Sequence, residues 1–78
     1  MEAMLTLMTA LKNAGYTEET DYYKAVLTSP DKEITVCIDA AGGVHNVTLS
    51  KGTDKNSKTV NFENIRTKDD AEEILSFL

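Results

Sequence analysis

The stretch from Glu33 to Asp39, "EITVCID", alternates without a break: Ile34, Val36 and Ile38 fall on one side of an extended chain, and Thr35, Cys37 and Asp39 on the other. A strand of this kind has one face for a core and one for water. Shortly after it, "VHNVTLS" offers Val47 and Leu49 to the same apolar side, and between the two runs "AAGG" supplies Gly42 or Gly43 for the positive φ of a tight hairpin. The two strands are expected to pair antiparallel. A sheet that is apolar on one face needs a cover, and the rest of the chain must provide it.

Both ends of the chain have helical spacing. Ala3, Met4, Leu7, Met8, Ala10, Leu11 and Ala14 share one side of a helix over Glu2 to Ala14, with Glu2, Thr6, Thr9 and Asn13 opposite. Gly15 stands where a left-handed residue commonly ends a helix, and "TEET" reads as a polar connector. "YYKAVL" (Tyr22 to Leu27) is rich in aromatic and branched residues and is closed by "SPDK", so it reads as a strand. The hydrophilic run Lys51 to Lys58 is a loop, and "TVNFENI" after it places Val60 and Phe62 on one face. Thr67 is suited to cap a last helix with Asp70 three residues on, and Ala71, Ile74, Leu75 and Leu78 form that helix's apolar stripe.

The order α-β-β-β-β-α predicts one α+β domain over residues 1–78: a two-layer sandwich, three or four antiparallel strands with both helices on one face. The expected core is Leu7, Met8, Leu11, Ile34, Val36, Ile38, Val47, Leu49, Val60, Phe62, Ile74, Leu75 and Leu78. A chain of 78 residues buries only about 60% of its unfolded surface, so stability is expected to be marginal. Cys37 is the only cysteine, which rules out an internal disulfide and suggests a reducing compartment. The N-terminal apolar run opens on Glu2 instead of a basic segment, and no run reaches the ~20 apolar residues of a membrane span; a cytoplasmic protein is expected.

Chemistry has few places to sit. Cys37 and the sole histidine, His45, could be imagined as a nucleophile and base, but nothing marks an oxyanion hole, and a lone thiol on a strand ordinarily packs as a small hydrophobe. One His, one Cys and scattered carboxylates have no metal-ligand spacing, the "DKNSK" loop lacks the acidic pattern of a calcium site, and no phosphate-cradling glycine motif occurs. The sequence reads as a non-enzyme with neither cofactor nor metal.

Charge is the remaining signal. Thirteen acidic residues against 8 basic give a net charge of -5, and the acids are grouped. Asp69, Asp70, Glu72 and Glu73 crowd the start of the last helix, with Glu18, Glu19 and Asp21 as a second group; the Lys51 to Lys58 loop is basic. Acids in a first helical turn are favoured by about 0.3–1 kcal/mol each through the helix dipole, which accounts for Asp69 and Asp70. Glu72 and Glu73 lie deeper and join Asp69 opposite the apolar stripe, where solvation alone would also suit them. The element order resembles a double-stranded-RNA-binding domain, yet that family presents lysines where Asp69, Asp70, Glu72 and Glu73 stand here. Direct nucleic-acid binding is therefore not expected.

An acidic chain with an amphipathic helix ending "LKNAGYT", a hairpin-rich sheet with a "DAAGG" turn and an acidic closing helix resembles the small phage-encoded anti-CRISPR proteins. The similarity covers element order and charge across most of the chain, without a diagnostic motif. It implies inhibition by stoichiometric binding in the host cytoplasm, with carboxylates standing where phosphates would be. The implied partner is a protein with a basic surface, such as a CRISPR effector complex, contacted by Asp69, Glu72 and Glu73, with Asp70, Glu18, Glu19 and Asp21 beside them. The other reading is a small homo-oligomeric structural or accessory module of phage or bacterial origin, so either a monomer or a homodimer is compatible with the sequence.

Overall fold

A computed structural model describes residues 2–21, 24–40, 44–52 and 57–78. Helix α1 (Glu2–Asn13) is followed by strands β1 (Thr17–Thr20), β2 (Lys24–Thr28), β3 (Ile34–Asp39), β4 (Asn46–Lys51) and β5 (Lys58–Phe62), and helix α2 (Lys68–Ser76) closes the chain. The strands form one antiparallel sheet in chain order, β1 to β5. This is the expected α+β sandwich, with five strands in place of three or four.

The additional strand is "TEET", expected as a connector. It carries no apolar alternation, but Asp21 N–H donates to the Lys24 carbonyl at 2.8 Å and closes a turn that lays β1 along β2, with Glu18 opposite Leu27 and Thr20 opposite Ala25. A short, charged strand at a sheet edge discourages pairing with other chains. β2 is described over Lys24–Thr28, one residue past the expected end at Leu27, and Tyr22 and Tyr23 of the expected strand lie outside the described residues. So do Gly42 and Gly43 of the expected β3–β4 turn and residues 53–56 of the Lys51 to Lys58 loop.

The β3 alternation holds: Val36 and Ile38 are buried, and across the sheet they meet Leu27 and Ala25 on β2 and Leu49 and Val47 on β4. Leu7 and Leu11 of α1 and Ala71 and Ile74 of α2 close over this face and pack against each other. Ile65, in the β5–α2 connection, completes the core, and its N–H donates to the His45 carbonyl at 2.8 Å. Leu78 departs from expectation. It lies beyond the α2 cap at Phe77 and is 38% exposed, because the helix ends before its stripe can carry that residue inward.

Turn chemistry fixes the ends of these elements. Gly15, at φ +92°, takes the left-handed position after α1, where its N–H donates to Lys12 and the Tyr16 N–H reaches back to Leu11. Between β2 and β3 the buried Ser29 hydroxyl donates to Asp31 at 2.6 Å and accepts from the Ile34 N–H at 3.0 Å, which ties Pro30 and the left-handed Lys32 into a closed turn. Gly52 has φ +100°, and a Cβ there would lie 2.9 Å from Ser57 Cα. Gly52→Ala should therefore cost about 1–3 kcal/mol of stability, read as a lower urea midpoint with an unchanged slope.

Candidate protein-binding surface

Helix α2 sorts the acids of the C-terminal stretch into two kinds. Thr67 is extended at φ -115°, ψ 163°, and its hydroxyl accepts from the Asp70 N–H at 3.2 Å. In return, Asp70 Oδ2 accepts from the backbone N–H groups of Arg66 at 2.9 Å and Thr67 at 3.0 Å. Asp70 is thus committed to starting the helix, a reciprocal capping box in which aspartate takes the usual glutamate place. Buried Ala71 and Ile74 then anchor one side of α2, which turns Asp69, Glu72 and Glu73 outward to solvent. None of these three carboxylates takes a hydrogen bond or ion pair from the described residues, and the last turn of α2 holds no basic residue.

The first of those N–H donors, from Arg66, contributes most to holding the Asp70 carboxyl below its usual range, followed by Thr67. Asp31 is lowered chiefly by the Ser29 hydroxyl and then by the Glu33 N–H, and Glu18 chiefly by Lys12 and then by Thr20. Each of these groups has a folded pKa below its unfolded one, so the stability it contributes is present above the unfolded value and is lost as pH falls through the folded value. Thermal midpoints followed by circular dichroism should hold near neutrality and drop below about pH 4. Asp70→Asn should lower the neutral midpoint and flatten that acid slope.

The N-terminal acids are arranged otherwise. Glu18 faces the helix layer, half-buried, where one oxygen pairs with Lys12 of α1 and the other accepts from the Thr20 hydroxyl. It serves as a clasp between β1 and α1. Glu19 is exposed and sits opposite Val26, on the sheet face away from the helices, and Asp21 belongs to the β1–β2 turn. The two acidic groups are not brought together. Phe77 packs edge-on against Phe62 with ring centroids 5.1 Å apart, which holds the end of α2 beside β5. From β5 to β1 the sheet takes four interstrand steps, about 19 Å.

Cys37 and His45 are likewise kept apart. Cys37 lies opposite Val26 and Thr48 on the open sheet face, whereas His45 lines a shallow groove on the helix side with Met4, Met8 and Ile38. The sheet separates thiol from imidazole. A concavity of about 300 Å3 surrounds Cys37, bordered by Lys24, Asp39, Asn46, Thr48, Asn61 and Glu63. Among the described residues no cluster of His, Cys, Asp and Glu could hold a metal ion.

Two surface features escaped the sequence reading. The open face carries a row of hydroxyls in register, Thr28, Thr35, Ser50 and Thr59. Their signal was present as Thr and Ser at alternate strand positions, once all four strands are aligned. The other is the Lys12–Glu18 clasp, which no local pattern predicts because it depends on β1 folding back beside α1.

Comparison with protein-family models, with curated proteins and with solved structures returns no match to this chain. Among the described residues, no helix is long and apolar enough to cross a membrane.

Proposed function

We propose that the chain is a non-catalytic protein-binding inhibitor that acts stoichiometrically through the outer face of α2, working in the cytoplasm. The observation behind this reading is the set of exposed carboxylates at Asp69, Glu72 and Glu73, which have no cationic partner among the described residues, while neighbouring Asp70 is occupied in the cap. Capping accounts for Asp70 and not for these three. Three like charges on one short helix repel each other mildly, a cost that a basic partner would turn into attraction.

The complementary surface is a cationic groove on a larger protein. The resemblance in charge and element order to anti-CRISPR proteins extends the reading to a CRISPR effector complex, whose groove for nucleic acid would receive the carboxylates in place of phosphates. Against catalysis stands the separation of Cys37 from His45 by the sheet. A pull-down from bacterial lysate with the wild type beside an Asp69→Lys/Glu72→Lys/Glu73→Lys variant tests the reading. The wild type should retrieve a basic protein or complex that the variant loses; equal recovery of the same partners by both would leave the α2 acids as a solvated surface only.

A further inference from the structure

We infer that β5 is a self-association edge, at which a second copy of this chain adds its own β5 antiparallel about a two-fold axis through Val60. The inference shares Glu73 with the acidic-surface reading, and Lys58→Glu and Val60→Cys, which leave Asp69, Glu72 and Glu73 unchanged, separate failure of the one from failure of the other. β5 is the last strand of the sheet, so alternate backbone N–H and C=O groups on its outer side have no strand to pair with among the described residues. The two edges of the sheet are built differently. Pairing β1 with a second β1 would bring Glu18 and Glu19 against their own copies, whereas β5 carries no carboxylate from Lys58 to Phe62.

Apolar surface marks the same edge. Val60 and Phe62 point to the helix side, opposite Leu49 and Val47, yet both are only half-buried, Phe62 even with Phe77 edge-on against it. Phe77, edge-on against Phe62, is itself 45% exposed. Hydrophobic positions on an edge strand, continuous with an exposed aromatic ring at the end of the adjoining helix, are what an isolated monomer avoids.

The register that pairs all five residues of the strand with the second copy places Val60 against Val60 and Lys58 against Phe62. Charge fits this register. Glu73 precedes Phe77, whose ring meets Phe62, by one turn of α2. Lys58 of the second copy, standing opposite Phe62 on the helix side, meets that carboxylate, and the symmetry makes the contact twice. A continuous sheet of two copies results, with the two α2 helices neighbouring each other across the axis.

Sedimentation velocity across a concentration series should show a monomer–dimer equilibrium. Lys58→Glu should weaken the dimer on the order of tenfold by opposing like charges, and Lys58→Glu/Glu73→Lys should restore it. In a Cys37→Ser background, Val60→Cys should give a covalent dimer on mild oxidation, since directly opposed strand positions bring the two thiols within reach. Thr17→Cys at the far edge, in the same background, should stay monomeric. Circular dichroism confirms that each variant is folded. A monomer at every concentration, or a dimer unaffected by Lys58→Glu and cross-linked as readily through Thr17→Cys, would overturn the assignment.

Discussion

Leu7→Ala should bring the domain close to unfolding at room temperature, while Leu5→Ala, two residues away on the same helix, should scarcely register. Leu7 is fully buried at the centre of α1, between the sheet and α2, whereas Leu5 is 68% exposed on the opposite side. Truncating a fully buried leucine removes its transfer free energy and leaves a cavity that the surroundings refill only in part, about 3 kcal/mol in all. A domain of this length has roughly 4–10 kcal/mol of stability in total, with the small core favouring the lower end. No disulfide is available to compensate, since Cys37 is alone. The thermal midpoint should fall by about 4–8 °C per kcal/mol, giving a loss of roughly 12–25 °C for Leu7→Ala and little for Leu5→Ala. Urea unfolding of both variants decides the matter. Equal losses would mean that Leu5 is covered in solution, which would move the self-association surface from β5 to α1.

What the sequence made legible follows from which forces act locally. β3 and β4 were readable because one face is buried and a one-residue slip would send Val36 or Val47 into water. The Thr67–Asp70 cap was readable because both partners lie within one turn. β1 was not, since Thr17–Thr20 is held by backbone pairing to β2 and by the clasp to Lys12, neither of which leaves an apolar period. Ile65 was missed for a related reason: it is a single apolar residue in a polar connection, buried by the backbone bond to His45. Val60 and Phe62 alternate as inner strand residues do, and their partial exposure arises only because β5 is the last strand. The acids show the same division. Asp70 declared its role by spacing, but the pairing of Glu18 and the openness of Asp69, Glu72 and Glu73 required the assembled fold.

That division sets the last expected result, for reversing charges at each acidic group separately once a partner is in hand. Asp69→Lys/Glu72→Lys/Glu73→Lys should weaken binding on the order of 10–100-fold, about 1.4–2.7 kcal/mol, because three attractive contacts become repulsive at a partly hydrated surface. Glu19→Lys should change it little, since Glu19 lies on the sheet face away from the helices and on the edge strand about 19 Å across the sheet from β5, farther than the screening length at physiological salt. Asp70→Asn should act through the fold, lowering the population of capped helix with no intrinsic effect on a partner that reads the outer face. Kinetics separate the two routes. Loss of steering should appear as a slower association rate that converges with wild type as salt is raised, whereas loss of the cap should appear as a reduced active fraction at any salt. Binding that depends on Glu19 as strongly as on Glu72, with the fold intact, would place the contact on the open sheet face and remove α2 from the interface.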